Sequence, residues 1–165
     1  MLTFLHGADF HLDSPFRSLS PDQAAERRQE QRQLLTRLAD TVRETQAQLV
    51  FLAGDLFDSQ RVRPETLELL QDTLEGLDAQ VFISPGNHDP YREDSIWVRE
   101  RWPENVYLFR SQEITSYSIE ELDCRIYGAA FTGMDCPALL TDFQADCTER
   151  YALLTLHGDP TNPSS

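Results

Sequence analysis

The chain has 165 residues, of which 40% are hydrophobic and 10% aromatic, enough for one domain with a buried core. Its 14 basic residues, all arginine, oppose 28 acidic residues, and the formal charge of -14 would repel a polyanion over most of the surface. This charge argues against a surface that binds nucleic acid everywhere, but salt screening still permits a local cationic site. No apolar run approaches the roughly 20 residues of a membrane helix and no signal peptide is evident, so we expect a cytoplasmic protein.

The first half of the chain predicts alternating strands and helices. Residues 2–6 form an apolar run that ends at Gly7, and Ser20, Pro21 and Gln23 have the pattern of a helix start with a capping box. The helix should continue to about Gln46 because apolar residues recur at helical spacing. Its predicted buried stripe consists of Leu34, Leu35, Leu38 and Val42.

A second strand is predicted at residues 49–53, a helix from Pro64 and a third strand at residues 81–84. Leucines at positions 67, 70, 74 and 77 give this second helix its apolar side. Strands separated by helices favour right-handed crossovers, so the fold class is α/β with a mostly parallel sheet.

The second half of the chain has a different pattern. Short apolar segments at residues 106–109, 114–119, 125–129 and 151–156 predict strands, with a hairpin turn at residues 120–123. We expect them to form a second, more antiparallel sheet packed on the first. Residues 158–165 are predicted to be a loop.

The three cysteines, Cys124, Cys136 and Cys147, do not have the spacing of a metal site or redox pair. They are expected to be free thiols. Histidines are more informative, because the chain has only 4 and three of them follow predicted strands beside other polar residues. The remaining one, His6, is expected to pack in the core or to support the site from behind.

The first two clusters supply oxygen and nitrogen donors. Asp9 and His11, two residues apart, can direct a carboxylate and an imidazole towards one ion, although D-x-H alone is a weak signal. Gly54 permits a sharp bend after the second strand, so that Asp55 can bridge two ions. Asp58 is placed to orient an imidazole or a water, whereas the alternative is that both carboxylates only cap a turn.

The third cluster, Gly86-Asn87-His88-Asp89, is more specific. The Asn87 carboxamide oxygen would fill a coordination position without cancelling the charge of an ion. His88 could donate a proton to a leaving group, because imidazole exchanges protons near neutral pH. His157 follows the last predicted strand, and alone it could be an ordinary core or surface histidine. Together with Asp9 and the other donors, it is a candidate ligand.

The order D-x-H, G-D-x-x-D, G-N-H-D and a strand ending in His resembles the calcineurin-like metallophosphoesterase superfamily. Residues 4–16 (FLHGADFHLDSPF), residues 54–58 (GDLFD) and residues 127–131 (YGAAF) are similar to bacterial DNA-repair exonucleases of the SbcD/YhaO type. The resemblance runs from the first strand to His157 and is loose between Pro90 and Leu122.

This resemblance implies a four-layer α-β-β-α sandwich around a dimanganese or similar centre, with iron, zinc or magnesium as the other options. Asp9 and His11 would hold one ion, Asp55 would bridge, and Asn87 and His157 would hold the other. His88 would act on the leaving group with Asp58 in support, which makes them the candidate catalytic residues. Relatives of this type act on DNA ends, often dimerise and work with an SMC-like ATPase.

The sequence departs from the superfamily in one respect, since no G-H-x-H element follows His157. Residues 1–165 are therefore expected to be a calcineurin-like phosphoesterase domain truncated before that element. Each ion would keep about three protein ligands. We expect weak metal binding and little nuclease activity from this part alone.

Three functions remain open on the sequence. The first is a DNA-repair exonuclease or endonuclease domain. The second is a phosphatase or phosphodiesterase for a small nucleotide or metabolite, which the acidic composition favours. The third is a noncatalytic module that docks a partner.

Overall fold

The structure, a computed structural model, describes residues 1–137 and 139–158. It consists of two sheets packed face to face with helices on the outer side of the first sheet. The elements are β1 (Phe4–Gly7), α1 (Pro21–Thr45), β2 (Leu49–Ala53), α2 (Pro64–Glu75), β3 (Gln80–Ser84), α3 (Ile96–Arg99), β4 (Val106–Leu108), β5 (Thr115–Ile119), β6 (Cys124–Gly128) and β7 (Tyr151–Thr155).

Within the described residues, the first sheet has the order β1-β2-β3-β4 and is parallel throughout. Alternate residues of β2 point to opposite faces, so Val50 and Leu52 pack against α1 and α2, whereas Leu49 and Phe51 face the second sheet. Both faces are buried, which explains why β2 is apolar at every position.

The second sheet has the order β5-β6-β7 in the part of the chain that the structure describes. β5 and β6 form an antiparallel hairpin, and β7 returns parallel to β6. Ile126 of β6 and Leu153 of β7 join Phe82 and Phe109 in the core between the sheets. The sandwich thus places the carboxyl end of β7 beside that of β2, and His157 follows this end.

The long helix begins as the sequence predicted. Ser20 accepts a hydrogen bond from the Gln23 backbone N–H, and the Gln23 side chain accepts one from the Ser20 N–H, which completes the capping box. Leu35, Leu38 and Val42 are buried as expected. The fourth predicted stripe residue, Leu34, is only partly buried because it lies at the edge of the buried face.

The structure corrects three expectations. β4 was expected in the second sheet but pairs parallel to β3, because the connection through α3 is long enough for a parallel crossover. α3 was not predicted, since one helical turn leaves too short a periodic pattern. His6 is exposed rather than packed in the core. Of the loop expected at residues 158–165, residues 159–165 lie outside the described residues.

These two sheets and their helices confirm the predicted α/β class and are consistent with a metallophosphoesterase sandwich. Among the helices of residues 1–137 and 139–158, none combines the length and apolar character needed to cross a membrane.

Candidate metal centre

The loops that follow β1 and β2 run side by side and present polar side chains in one direction. Asp9 N–H donates to the Gly54 carbonyl at 3.1 Å, and His11 N–H donates to the Asp55 carbonyl at 2.9 Å. The backbone φ angles of Asp9, His11 and Asp55 are 55°, 45° and 49°. This left-handed backbone is unfavourable for residues with a Cβ, and it occurs where a fold must redirect side chains.

Asp55 lies at the middle of the site and is only 4% exposed. Its Oδ1 accepts a hydrogen bond of 2.9 Å from the backbone N–H of His88. Its Oδ2 lies 3.8 Å from His11 Nε2 and 3.5 Å from His157 Nε2. One oxygen is therefore used by the third loop, and the other faces two imidazoles.

His157 reaches this point from the second sheet. Its Nδ1 lies 3.2 Å from the Ala53 carbonyl oxygen, which can only accept, so this contact places the ring proton on Nδ1. Nε2 then keeps its lone pair and faces Asn87 Oδ1 at 3.1 Å as well as the Asp55 carboxylate. Three electron-pair donors converge, and a cation between them would relieve their mutual repulsion.

Asp58 contacts His11 on the side of the ring that faces away from Asp55. The Asp58 Oδ1 atom lies 3.4 Å from His11 Nδ1, a buried nitrogen with no hydrogen bond among the described residues, and also accepts from Ser14 Oγ at 3.4 Å. The Asp58 carbonyl oxygen lies 3.3 Å from Nδ1 of His88. The rings of His11 and His88 meet edge to face, with centroids 5.0 Å apart.

The donors form two overlapping groups that share Asp55. One ligand atom from each of His11, Asp55 and His88 lies within 4.8 Å of the others, and the same holds for Asp9, Asp55 and His157. The shared carboxylate matches the bridging position expected of Asp55. Asp9 Oδ1 also lies 4.0 Å from His11 Nε2, so the expected pair of Asp9 and His11 is close as well. The exposed His88 is a further neighbour of His11 in its group.

Two glycines permit this close packing. A Cβ at Gly54, whose φ is 77°, would lie 2.2 Å from the His157 ring. A Cβ at Gly86 would lie 2.2 Å from Asp55 Oδ1 and 2.4 Å from its backbone nitrogen. The loops therefore approach each other more closely than any residue with a side chain would permit.

Asp89, to which the sequence analysis gave no role, connects these loops. It is fully buried, and its carboxylate accepts hydrogen bonds from the backbone N–H groups of Gly86 at 2.8 Å and Phe57 at 3.1 Å. Burial raises the pKa of Asp89 to about 6, against the opposing effect of these hydrogen bonds. Its carbonyl accepts a hydrogen bond from Trp97 of α3. The last letter of the G-N-H-D motif was the available signal.

Gln31 of α1 was also missed. Its side-chain amide donates to the His11 carbonyl at 2.7 Å and to the Phe10 carbonyl at 3.4 Å. It thereby holds the first loop from the helix side. Nothing in the local sequence distinguishes it from the other glutamines of α1.

The two-sheet fold and a centre with a shared carboxylate define a class of metal-dependent phosphoesterases. The family model of the calcineurin-like phosphoesterases matches residues 2–159. The chain belongs to this family.

Two curated relatives are each similar to about two thirds of the chain. The chain is 35% identical over 116 residues to the "Uncharacterized metallophosphoesterase YhaO" of Bacillus subtilis (strain 168). This match covers 67% of this chain and 28% of that protein. It is 29% identical over 112 residues to the SbcD subunit of the nuclease SbcCD of Staphylococcus epidermidis (strain ATCC 12228 / FDA PCI 1200), covering 66% and 28%. The matched region thus spans just over a quarter of each relative.

Proposed function

We propose that the protein is a two-metal phosphodiester hydrolase that acts on DNA as a repair exonuclease or endonuclease. The observation that carries the proposal is the Asp55 carboxylate, which is shared by two groups of donors and has no arginine partner among the described residues. A bridging carboxylate would hold two divalent ions close together, as the two-metal mechanism of phosphoester hydrolysis requires.

In this proposal Asp9 and His11 would hold one ion, Asn87 and His157 would hold the other, and both ions would share Asp55. The described donors fit divalent ions, because carboxylate, amide and imidazole groups converge without a competing cation. The ions, manganese in our proposal, would supply Lewis-acid activation of the phosphate and of a water.

The other two residues act on the substrate or on a ligand. His88 is exposed, so it can reach the leaving oxygen and donate a proton to it. Asp58 lies against His11 Nδ1 and turns His11 Nε2 towards Asp55. Asp58 is thus a positioning residue for the first ion.

The DNA substrate is supported by the similarity to a protein whose name describes a nuclease subunit. Because the chain spans only 28% of that relative, the activity, the action on DNA ends, a homodimer and an SMC-like ATPase partner are all proposals for the whole protein. A role on DNA would place it in the cytoplasm. The domain assignment of residues 1–165 also remains a proposal.

A small phosphoester is the second candidate substrate. The formal charge of -14 favours it, since a neutral or singly charged ester is repelled less than a polynucleotide.

Hydrolysis of bis-p-nitrophenyl phosphate and of single-stranded DNA, each with manganese, separates these functions. We expect the whole protein to degrade both, whereas residues 1–165 alone should show little nuclease activity. Cleavage of the small ester without DNA would support the second candidate. Cleavage of neither would contradict both candidates and leave a noncatalytic docking module.

Substitutions test the two roles at the third loop. Asn87→Ala should weaken binding of one ion, measured by calorimetry, and raise the manganese concentration needed for activity. His88→Ala should keep both ions and slow hydrolysis by about 10²- to 10⁴-fold, the usual contribution of general acid catalysis. Loss of an ion from His88→Ala would instead make His88 a ligand, in agreement with its group of donors.

A further inference from the structure

Three arginines line a shallow pocket beside the candidate metal centre. Arg28 of α1 and Arg61 and Arg63 of the loop before α2 surround an open space of about 490 Å³, which Asp13 and Pro15 close on the side of the first loop. This is an unusual concentration of positive charge in a chain with 28 acidic and 14 basic residues.

The one carboxylate of the pocket is already used. Asp13 accepts a hydrogen bond of 2.7 Å from the Arg63 backbone N–H and one of 3.0 Å from Thr66 Oγ1. Its side chain is 3% exposed and also lies 3.8 Å from Arg32. Asp13 therefore fixes the pocket wall, and it has little capacity to neutralise the arginines that face solvent.

The pocket arginines lack strong partners of their own. Arg28 and Arg61 make no side-chain hydrogen bond or ion pair with the residues that the structure describes. Arg63 lies 3.9 Å from Glu65, and both side chains are more than half exposed, so this pair contributes little. Three like charges in one pocket repel each other, and an anion bound between them would remove that cost.

The first loop connects the pocket to the metal centre. Asp13 and Pro15 flank Ser14, whose hydroxyl donates to Asp58, and Asp58 in turn lies 3.4 Å from His11. Residues of this one loop therefore contribute to both places. A small phosphoester can occupy only one of the two places, but a polynucleotide carries a phosphate on every nucleotide and can occupy both.

We propose that Arg28, Arg61 and Arg63 bind a backbone phosphate of a polynucleotide strand, another phosphodiester of which lies at the metal centre. This inference rests on the proposed function and deepens it, because it makes the arginine pocket the feature that selects a polynucleotide over a small ester. Guanidinium groups suit this task, since they bind phosphate oxygens with two parallel hydrogen bonds. Contact with the backbone selects a phosphate chain and not a base sequence.

Binding of a fluorescent oligothymidylate of about 20 nucleotides tests the pocket. Anisotropy is measured with the full protein and with calcium in place of manganese, so that binding is read apart from turnover. Arg28→Ala and Arg61→Ala should each weaken binding about 5-fold, and each should reduce the slope of log affinity against log salt by about 1. The double variant should combine both effects.

Arg43→Ala is the matched control. Arg43 lies in the last turn of α1, is 76% exposed and pairs with Asp40, so its loss removes the same charge away from the pocket. We expect less than about a 2-fold change in affinity for this variant. Thermal unfolding of all four variants checks that they are folded.

The outcomes separate this inference from the proposed function. If Arg28→Ala and Arg61→Ala bind the oligonucleotide as Arg43→Ala does, or if the unaltered protein does not bind it, the pocket assignment is wrong even where hydrolysis is observed. Displacement by inorganic phosphate as effective as by unlabelled oligonucleotide would also overturn it, because the pocket would then hold free phosphate. If the two arginine variants bind the oligonucleotide more weakly but the unaltered protein hydrolyses neither bis-p-nitrophenyl phosphate nor DNA, the pocket assignment stands and the proposed catalysis is wrong.

Discussion

Two carboxylates that are similarly shielded from water have different surroundings. The Asp55 side chain at the candidate metal centre is 6% exposed, and the Glu149 side chain at the outer face of the second sheet is 11% exposed. Glu149 Oε1 accepts hydrogen bonds from Arg125 Nε at 3.0 Å, from Arg125 Nη2 at 2.7 Å and from Ser118 Oγ at 2.7 Å. The Asp55 carboxylate instead lies near the imidazoles of His11 and His157 and accepts a hydrogen bond from a backbone N–H.

The difference indicates what each region is for. The hydrogen bond and charge of Arg125 lower the pKa of Glu149 to about 2, so this carboxylate is stabilised within the chain. Asp55 has no guanidinium partner in residues 1–137 and 139–158, and it is surrounded by groups that can bind a cation. A carboxylate whose charge is balanced by an arginine stabilises the fold, whereas one without such a partner can still bind a metal ion.

Among the substitutions that test this comparison, Asp55→Asn should have the largest effect. The asparagine oxygen can still accept from the His88 N–H, but the charge that bridges two ions is lost. Hydrolysis of bis-p-nitrophenyl phosphate should fall by more than about 100-fold, because even indirect damage to a metal site costs about 10- to 100-fold. The rise in melting temperature on adding manganese should disappear.

The matched change at the second carboxylate is Glu149→Gln. It should leave the manganese-induced rise in melting temperature intact. If Asp55→Asn keeps that rise, or if Glu149→Gln abolishes it, the contrast between the two carboxylates is wrong.

Gly86→Ala should have the next largest effect. Its Cβ would meet the carboxylate and backbone nitrogen of Asp55 at 2.2 and 2.4 Å, so one of the two loops must move. We expect a loss of about 1–3 kcal/mol in the free energy of unfolding, measured with urea, together with weaker manganese binding.

Gly133→Ala provides the control for this substitution. A Cβ there would have no neighbour within 4 Å among the described residues. Equal effects of both substitutions on manganese binding would show that the close approach at Gly86 does not hold the site together.

The smallest expected effect is the change in thermal stability with pH that Glu149 causes. Since its pKa falls from 4.5 to about 2 on folding, the ionised carboxylate stabilises the fold fully above about pH 4.5 and loses that effect as the pH falls towards 2. Glu149→Gln should therefore melt at a lower temperature than the unaltered protein at neutral pH. The difference should shrink over that acid range in thermal unfolding measurements.

Glu121→Gln serves as the reference for the acid range, because Glu121 is exposed and has no side-chain partner among the residues described. It should show no comparable change. A difference between Glu149→Gln and the unaltered protein that stays constant from neutral pH to pH 2 would contradict the ion pair with Arg125.

Most of the secondary structure could be predicted because its signals are local. The capping box at Ser20 and the helical spacing of apolar residues define α1, and β2 was predicted with its observed bounds because a buried strand is a continuous apolar run. The position of β4 could not be predicted in this way. A strand of 3 residues carries too little pattern to specify its neighbour, and the sheet it joins depends on packing between distant segments.

For the site, the sequence indicated which side chains could donate to a metal and that Asp55 could be shared by two ions. Both statements are predictions, and metal-binding measurements test them. The sequence could not indicate Gln31, and for Asp89 its signal was only the last letter of the G-N-H-D motif. The roles of Asp89 and Gln31 arise from contacts across 32 and 20 residues of sequence. The arginine pocket is a similar case, because it joins Arg28 and Arg61 from separate elements.

The sequence by itself determined the α/β pattern, the strand ends at which donors occur and the family resemblance, because each of these is contained in short segments. Only the tertiary structure decided that Asp9 also lies close to His157 and that His88 lies close to His11. It also decided that an acidic chain has a pocket lined by three arginines. The physical reason is that charge and coordination depend on distances of a few ångströms between side chains. Those distances are set by the packing of two sheets and not by spacing along the chain.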